Sequence, residues 1–182
     1  MLRFALLPAL LLLTVPAACR QPTPAAQAAE PHFPALTGRV VDQADLLSPQ
    51  VEARLAAQSE AVEREIGPQY VIVTVSSLHG LAIEDYGMKL GRRWGIGSKA
   101  RNDGLLLIVA PHENVARIEV GYGLEKRVTD AFAARVMREK MVPRFKAGDF
   151  PGGIEAGSAE LVRRLRSKQT DREIAVEDRM VI

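Results

Sequence analysis

The sequence predicts an α/β protein, a three-layer α/β/α sandwich around a small mixed sheet, in a single domain. Three observations lead there. Two short apolar runs, Tyr70–Val75 and Gly104–Ala110, read as strands covered on both faces. Amphipathic helical stretches separate and follow them. The resulting order of strand, helix, strand, helix, hairpin, helix, helix supplies helices for both faces of a sheet.

The elements follow from local chemistry. Gly38–Asp42 is a short extended opening. Ser48-Pro49 starts a helix, with Ser48 as N-cap and Pro49 at the first helical position. Val51, Leu55, Val62 and Ile66 form its apolar face, and Gly67-Pro68 stops it. Tyr70–Val75 is dominated by β-branched residues and suits a buried strand. The second helix covers Ile83 to Trp94, where Ile83, Tyr86, Leu90 and Trp94 share a face. Gly87 and Gly91 lie four apart on it and permit close approach to the sheet, each weakening the helix by about 1 kcal/mol relative to alanine.

The strand Gly104–Ala110 leads through Pro111-His112-Glu113-Asn114, a four-residue turn, into the strand Val115–Val120. If Ala110 faces Val115, antiparallel counting brings Gly104 opposite Gly121 and Asp103 opposite Tyr122, with paired residues about 4.5–5.5 Å apart. Two glycine-bearing loops then meet at one end of the sheet, one with Asp103 and the other with Glu125. A third helix covers Ala131–Met141, with Phe132, Val136 and Met137 near its apolar side and Pro143 ending it. Gly152–Leu165 is the last helix, with Ile154, Leu161 and Leu165 inward. Residues 167–182 are charged and read as a surface tail, so the domain proper is 38–166.

The chain has 182 residues with a formal net charge of +2, which supplies no overall attraction to nucleic acid. Its first 18 residues read as a signal peptide, with Arg3 before the apolar run Phe4–Val15. That run is short for a hydrocarbon core of about 30 Å, and Pro8 interrupts it. Ala17-Ala18-Cys19 is similar to a bacterial lipobox, with Pro16 in place of the usual aliphatic residue and Cys19 as the lipidated residue. The alternative is ordinary cleavage at Ala26-Gln27-Ala28. Both readings export the protein to the periplasm or cell envelope, and the lipoprotein reading anchors it to the membrane. Cys19 is the sole cysteine, so the fold does not depend on disulfides. Residues 19–37 form a Pro/Ala-rich tether.

Several familiar sites are excluded. Gly95-Ile96-Gly97-Ser98-Lys99 lacks the spacing of a phosphate loop and follows a helix rather than a strand. Gly121-Tyr122-Gly123 lacks a third glycine and a crossover, so its glycines are expected to supply special backbone angles at the strand exit. His32, His79 and His112 are scattered, and no zinc or Ser/His/Asp pattern is present. Carboxylates remain. Asp42, Asp103, Glu125 and Asp130 each stand at an element edge, where loop oxygens can hold Ca²⁺ or Mg²⁺. Each also has a plain structural reading: Asp42 in an Asx-turn, Asp103 in an Asn-Asp-Gly turn, Asp130 as a helix cap. The hairpin count brings Asp103 and the Glu125 loop together.

The stretches VVDQADLLS, YVIVTV, RRWGIGSKARNDGLLLIVAP, RIEVGYGLEKRVTD and PRFKAGDFPGGIEAG occur in that order over residues 38–166. In these the chain resembles the TPM domain family of exported bacterial and thylakoid-lumen proteins. The resemblance implies an α/β/α sandwich and an acidic patch that binds a divalent cation in some members, with Asp42, Asp103, Glu125 and Asp130 as the matching acids. It also implies roles in assembly or maintenance of a membrane-associated protein partner. The alternative it carries is a metal-dependent acid phosphatase of low activity, for which Lys99, Arg101 and Lys126 lie in the right loops to meet phosphate charge. Many bacterial relatives continue into a transmembrane helix and glycine-rich tail; the charged tail here differs from both.

Overall fold

The computed structural model describes residues 33–169 and 171–180. The signal segment, Cys19, the Ala26-Gln27-Ala28 site, His32 and most of the tether lie outside the described residues. The tether's last residues belong to the domain: Phe33 packs edge-on against Tyr86 at 5.0 Å between ring centroids, and Trp94 Nε1 donates to the Pro34 carbonyl at 3.0 Å.

Four strands form one mixed sheet in the order β1 (Val40–Asp42), β2 (Gln69–Thr74), β3 (Gly104–Ala110), β4 (Val115–Val120). The first three are parallel and β4 is antiparallel to β3. Ala110 pairs with Val115 and Leu105 with Val120, the register expected of the four-residue turn.

Successive side chains of a strand point to opposite faces, and β2 and β3 bury both. Tyr70, Ile72, Leu105, Leu107 and Val109 face a core shared with helices α1 (Pro49–Ile66) and α5 (Phe150–Arg166). Val71, Val73, Leu106, Ile108 and Ala110 face the other core, covered by α2 (Ile83–Trp94). The three-layer α/β/α expectation holds.

Helix α1 begins as expected, with Ser48 Oγ accepting from the Val51 amide and Pro49 in the first turn. Val51, Leu55 and Val62 are buried, while Ile66 is exposed at the helix's last position, where Gly67 turns the chain away. Ser59 is fully buried on the same face, its hydroxyl donating to the Tyr70 carbonyl.

The third helix does not stop at Pro143. Helix α3 (Asp130–Val136) passes into a π turn (Met137–Met141) and then α4 (Val142–Lys146). Proline has no N–H and its ring crowds the carbonyl one turn earlier in a regular helix. The π turn widens the coil immediately before Pro143, with the Val142 amide donating to the Met137 carbonyl and Arg144 Nη1 donating to the Lys140 carbonyl. Glycines on α5 admit this wide segment: a Cβ at Gly157 would press on Met141, and one at Gly153 on Phe145. Asp149 caps α5 by accepting from the Gly152 amide at 2.9 Å.

Where the sequence suggests a surface tail after Arg166, the chain forms α6 (Asp171–Met180), with Ile174 fully buried. Arg164 explains the docking. It is 3 % exposed, lies over the Phe132 ring at 4.0 Å, and pairs with Asp178 at 3.1 Å and Glu177 at 3.4 Å.

Candidate functional site

The two loops expected to meet at one end of the sheet do so through backbone contacts. Pairing continues beyond the strands, with the Gly121 amide donating to the Gly104 carbonyl at 2.8 Å and the Gly123 amide to the Asn102 carbonyl at 3.0 Å. Gly121 and Gly123 are not among the glycines with positive φ, so special backbone angles are not their purpose. Close approach is. A Cβ at Gly121 would overlap the Asn102 carbonyl oxygen, and one at Gly123 the Arg101 carbonyl oxygen. Gly97 meets both demands at once, with φ of 90° and its α-carbon against the Gly104 backbone.

Asp103 organises the first loop from inside. It is 5 % exposed, with Oδ1 accepting from the Ser98 amide at 2.8 Å and Oδ2 from Arg101 Nε at 2.5 Å. Burial pushes its carboxyl pKa up, but Arg101 and the Ser98 N–H outweigh burial and hold it below the usual carboxylate value. Gln69, which nothing in the sequence pattern marks, ties the loop to the rest of the domain. Its amide donates to the Asp103 carbonyl at 3.1 Å, its Oε1 accepts from the Gly97 amide at 2.7 Å, and its Nε2 donates to Glu63 at 3.1 Å. Glu63 pairs in turn with Arg39.

The other acids fall differently. Glu125 is exposed on the turn after Gly123. Asp130 is exposed in the first turn of α3, where it complements the helix dipole, but Thr129 is the cap, its Oγ1 accepting from the Phe132 amide at 3.2 Å. Asp42 is at the opposite end of the sheet. Its register partner is Thr74, which in turn pairs with Val109, six residues along β3 from Asp103. At about 3.3 Å per residue that is about 20 Å. There Asp42 accepts from the Leu47 amide at 2.7 Å and from the Thr74 hydroxyl, a structural post for the turn after β1. Asp42 therefore lies at the end of the sheet away from Asp103.

Ca²⁺ takes six to eight oxygens, carboxylates among them, and Mg²⁺ six, of which one or two come from carboxylates and the rest largely from water. Both Asp103 oxygens are occupied, Asp42 is remote, and among the described residues no three His, Cys, Asp or Glu side chains converge as ligands. The four acids do not together form one cation shell. The loop end carries Tyr122, 81 % exposed between the two glycines, and Lys99, Arg101, Glu125 and Lys126 are exposed on the same two loops. Tyr122 is the residue that sequence reasoning passed over. Its signal was an aromatic side chain between two glycines in a loop already placed at the sheet end.

Fold and loop end together define a small α/β/α domain whose two glycine-locked loops form one presenting surface. The chain belongs to the TPM domain family, which it matches over residues 40–164. It is similar to the N-terminal domain of a protein from P. gingivalis solved by NMR, with 32 % identity, a TM-score of 0.67, and coverage of 71 % of this chain and 82 % of that one. Two more distant NMR structures share the fold. The N-terminal domain of the cg2496 protein from Corynebacterium glutamicum has 18 % identity, a TM-score of 0.57, and coverage of 78 % and 88 %. The BA42 protein from Bizionia argentinensis has 19 % identity, a TM-score of 0.57, and coverage of 66 % and 82 %. No curated protein matches the sequence.

Proposed function

We propose that this TPM-domain protein is an exported cell-envelope module that engages a membrane-associated protein through the loop end of its sheet. The observation that carries the reading is Tyr122, 81 % exposed on a loop whose backbone is locked against its neighbour. An aromatic side chain with two χ angles, carried on a closely packed backbone, offers a large contact area and loses little conformational entropy on binding. Lys99, Arg101, Glu125 and Lys126 on the same two loops supply the polar rim of such an anchor. Export rests on the Phe4–Val15 run and on Cys19, whose lipidation would hold the domain at the membrane surface.

A photo-crosslinking amino acid placed at position 122 of the full chain, expressed in a bacterial envelope, tests the reading. One discrete adduct with a membrane protein is expected at 122, and none from the same probe at Glu60, exposed on α1. Equal labelling from both positions, or none at 122, would reject it. The phosphatase alternative places phosphate beside Lys99, Arg101 and Lys126. Hydrolysis of p-nitrophenyl phosphate that disappears in Arg101→Ala, with no adduct at 122, would favour that alternative.

A further inference from the structure

At the other end of the sheet, behind the β3–β4 turn, lies an apolar pocket of about 200 Å³. Its walls are Val109, Ala116, Met137, Val142, Phe145 and Phe150, with Lys146 and Asn114 as its polar members. Phe145 and Phe150 stack at 5.2 Å between centroids and close one side. We propose that this pocket binds a small amphipathic carboxylate, an aromatic ring or short alkyl chain held among the apolar walls with its anionic group on Lys146.

The π turn builds the pocket. In a regular α-helix, residues five apart lie about 140° apart around the axis, so Met137 and Val142 would face different surroundings. The i→i+5 bond from the Val142 amide to the Met137 carbonyl brings them to successive turns of one face, and both line the cavity. Such turns are rare and concentrate at functional sites. This one stands against glycines of α5, so the wide segment is accommodated by the rest of the core.

Size and charge select the ligand. A dry apolar cavity of about 150 Å³ accepts benzene, so this volume suits a ring or short chain with one polar substituent. Lys146 has no ion pair among the described residues, and its helix also carries Arg144. The neighbouring acids have other work, Glu139 with Arg138 and Asp149 capping α5. Glu113, in the adjoining turn, accepts from the Leu78 amide at 2.8 Å, so among the described residues Lys146 is the one charged side chain lining the pocket and a carboxylate there is complementary to it.

Methyl and amide NMR of the full chain, titrated with benzoate, hexanoate and neutral benzyl alcohol at millimolar concentrations, tests the proposal. Saturable shifts are expected at Val109, Ala116 and Met137 with benzoate or hexanoate. Lys146→Ala should weaken benzoate binding about tenfold, the worth of one hydrogen bond to a charged group, and leave benzyl alcohol unchanged. Ala116→Leu fills the cavity and should abolish binding of both ring compounds with the fold intact; Val142→Phe provides a second filling variant. The proposal is overturned if no carboxylate gives saturable shifts, if binding survives both filling variants, or if Lys146→Ala affects benzoate and benzyl alcohol equally.

Discussion

The Ser98 amide donates to the Asp103 carboxylate at 2.8 Å, closing the loop that carries the distinctive Trp-Gly-Ile-Gly stretch. Asp103 is thus a loop organiser, and removing its charge takes away more than a ligand. Asp103→Asn keeps an acceptor for Ser98 and loses the ionic bond to Arg101, whose side chain is 63 % exposed. The expected loss of stability is about 1 kcal/mol, reduced by solvent screening at Arg101. The folded-state pKa lies below the unfolded one, so this contribution is full above the unfolded value and fades as pH falls through the folded value. Urea melts of wild type and variant should therefore differ at neutral pH and converge in acid. Millimolar Ca²⁺ or Mg²⁺ should leave wild-type melting unchanged. A rise in melting temperature that Asp103→Asn abolishes would show instead that a cation displaces Arg101.

Gly123→Ala tests the backbone lock. The added methyl would meet the Arg101 carbonyl oxygen, and neither partner is a flexible side chain that can swing aside. The expected cost is about 1–3 kcal/mol, the usual range for overpacking. Tyr122→Ser, one residue away, removes a side chain that is 81 % exposed and should change stability by less than about 0.5 kcal/mol. Thermal melts of the two variants measure the contrast, and equal losses would show that Tyr122 packs against the domain.

The contrast between these two positions also shows what a sequence reveals. Elements with strong local signals were legible: the Ser48-Pro49 start of α1, the buried runs of β2 and β3, and a turn length that set the β3–β4 register. That register alone brought Asp103 and the 121–125 loop together. Asp42 joined the acids only through the family resemblance, and its distance from Asp103 follows from the parallel β1–β2–β3 register, which is set by packing across crossovers and which no local pattern reports. The π turn was hidden because proline reads as a stop unless the turn before it is known to widen. Helix α6 was hidden because Ile174 is its only fully buried apolar residue, and its other anchors are polar, Asp178 and Glu177 meeting Arg164, Arg135 and Thr129 from earlier in the chain.

The Arg164–Asp178 pair sets the next expectation. Asp178→Ala removes the nearest carboxylate from Arg164, which is 3 % exposed and already has Nη1 without a hydrogen bond. Thr129, the cap of α3, loses the same partner. Breaking a buried pair from one side costs about 3–5 kcal/mol, and Glu177 at 3.4 Å should hold the loss near the lower figure. Ending the chain after Gln169 should cost at least as much, since Ile174 leaves the core as well. Denaturant melts decide the matter: a chain unaffected by either change would restore the reading of residues 167–182 as a surface tail.

The two glycines of α2 should respond to alanine with opposite signs. Both sit in a helix interior, where glycine costs about 1 kcal/mol relative to alanine. At Gly91 a Cβ meets nothing within 4 Å, so Gly91→Ala should raise stability by about 0.5–1 kcal/mol. At Gly87 the same methyl would stand 2.7 Å from Ile108 Cδ1 and 2.8 Å from the Glu119 side chain, where α2 crosses the sheet. Ile108 is fully buried and cannot yield without disturbing its own core. Overpacking of about 1–3 kcal/mol then exceeds the propensity gain, and Gly87→Ala should lower stability. The four-residue spacing suggested one shared role for the pair, and melting temperatures of the two variants separate them. If both rise, the Ile108 and Glu119 side chains can move aside and the approach of α2 to the sheet does not depend on glycine; if both fall, Gly91 has a contact that only a shift of the helix would bring about.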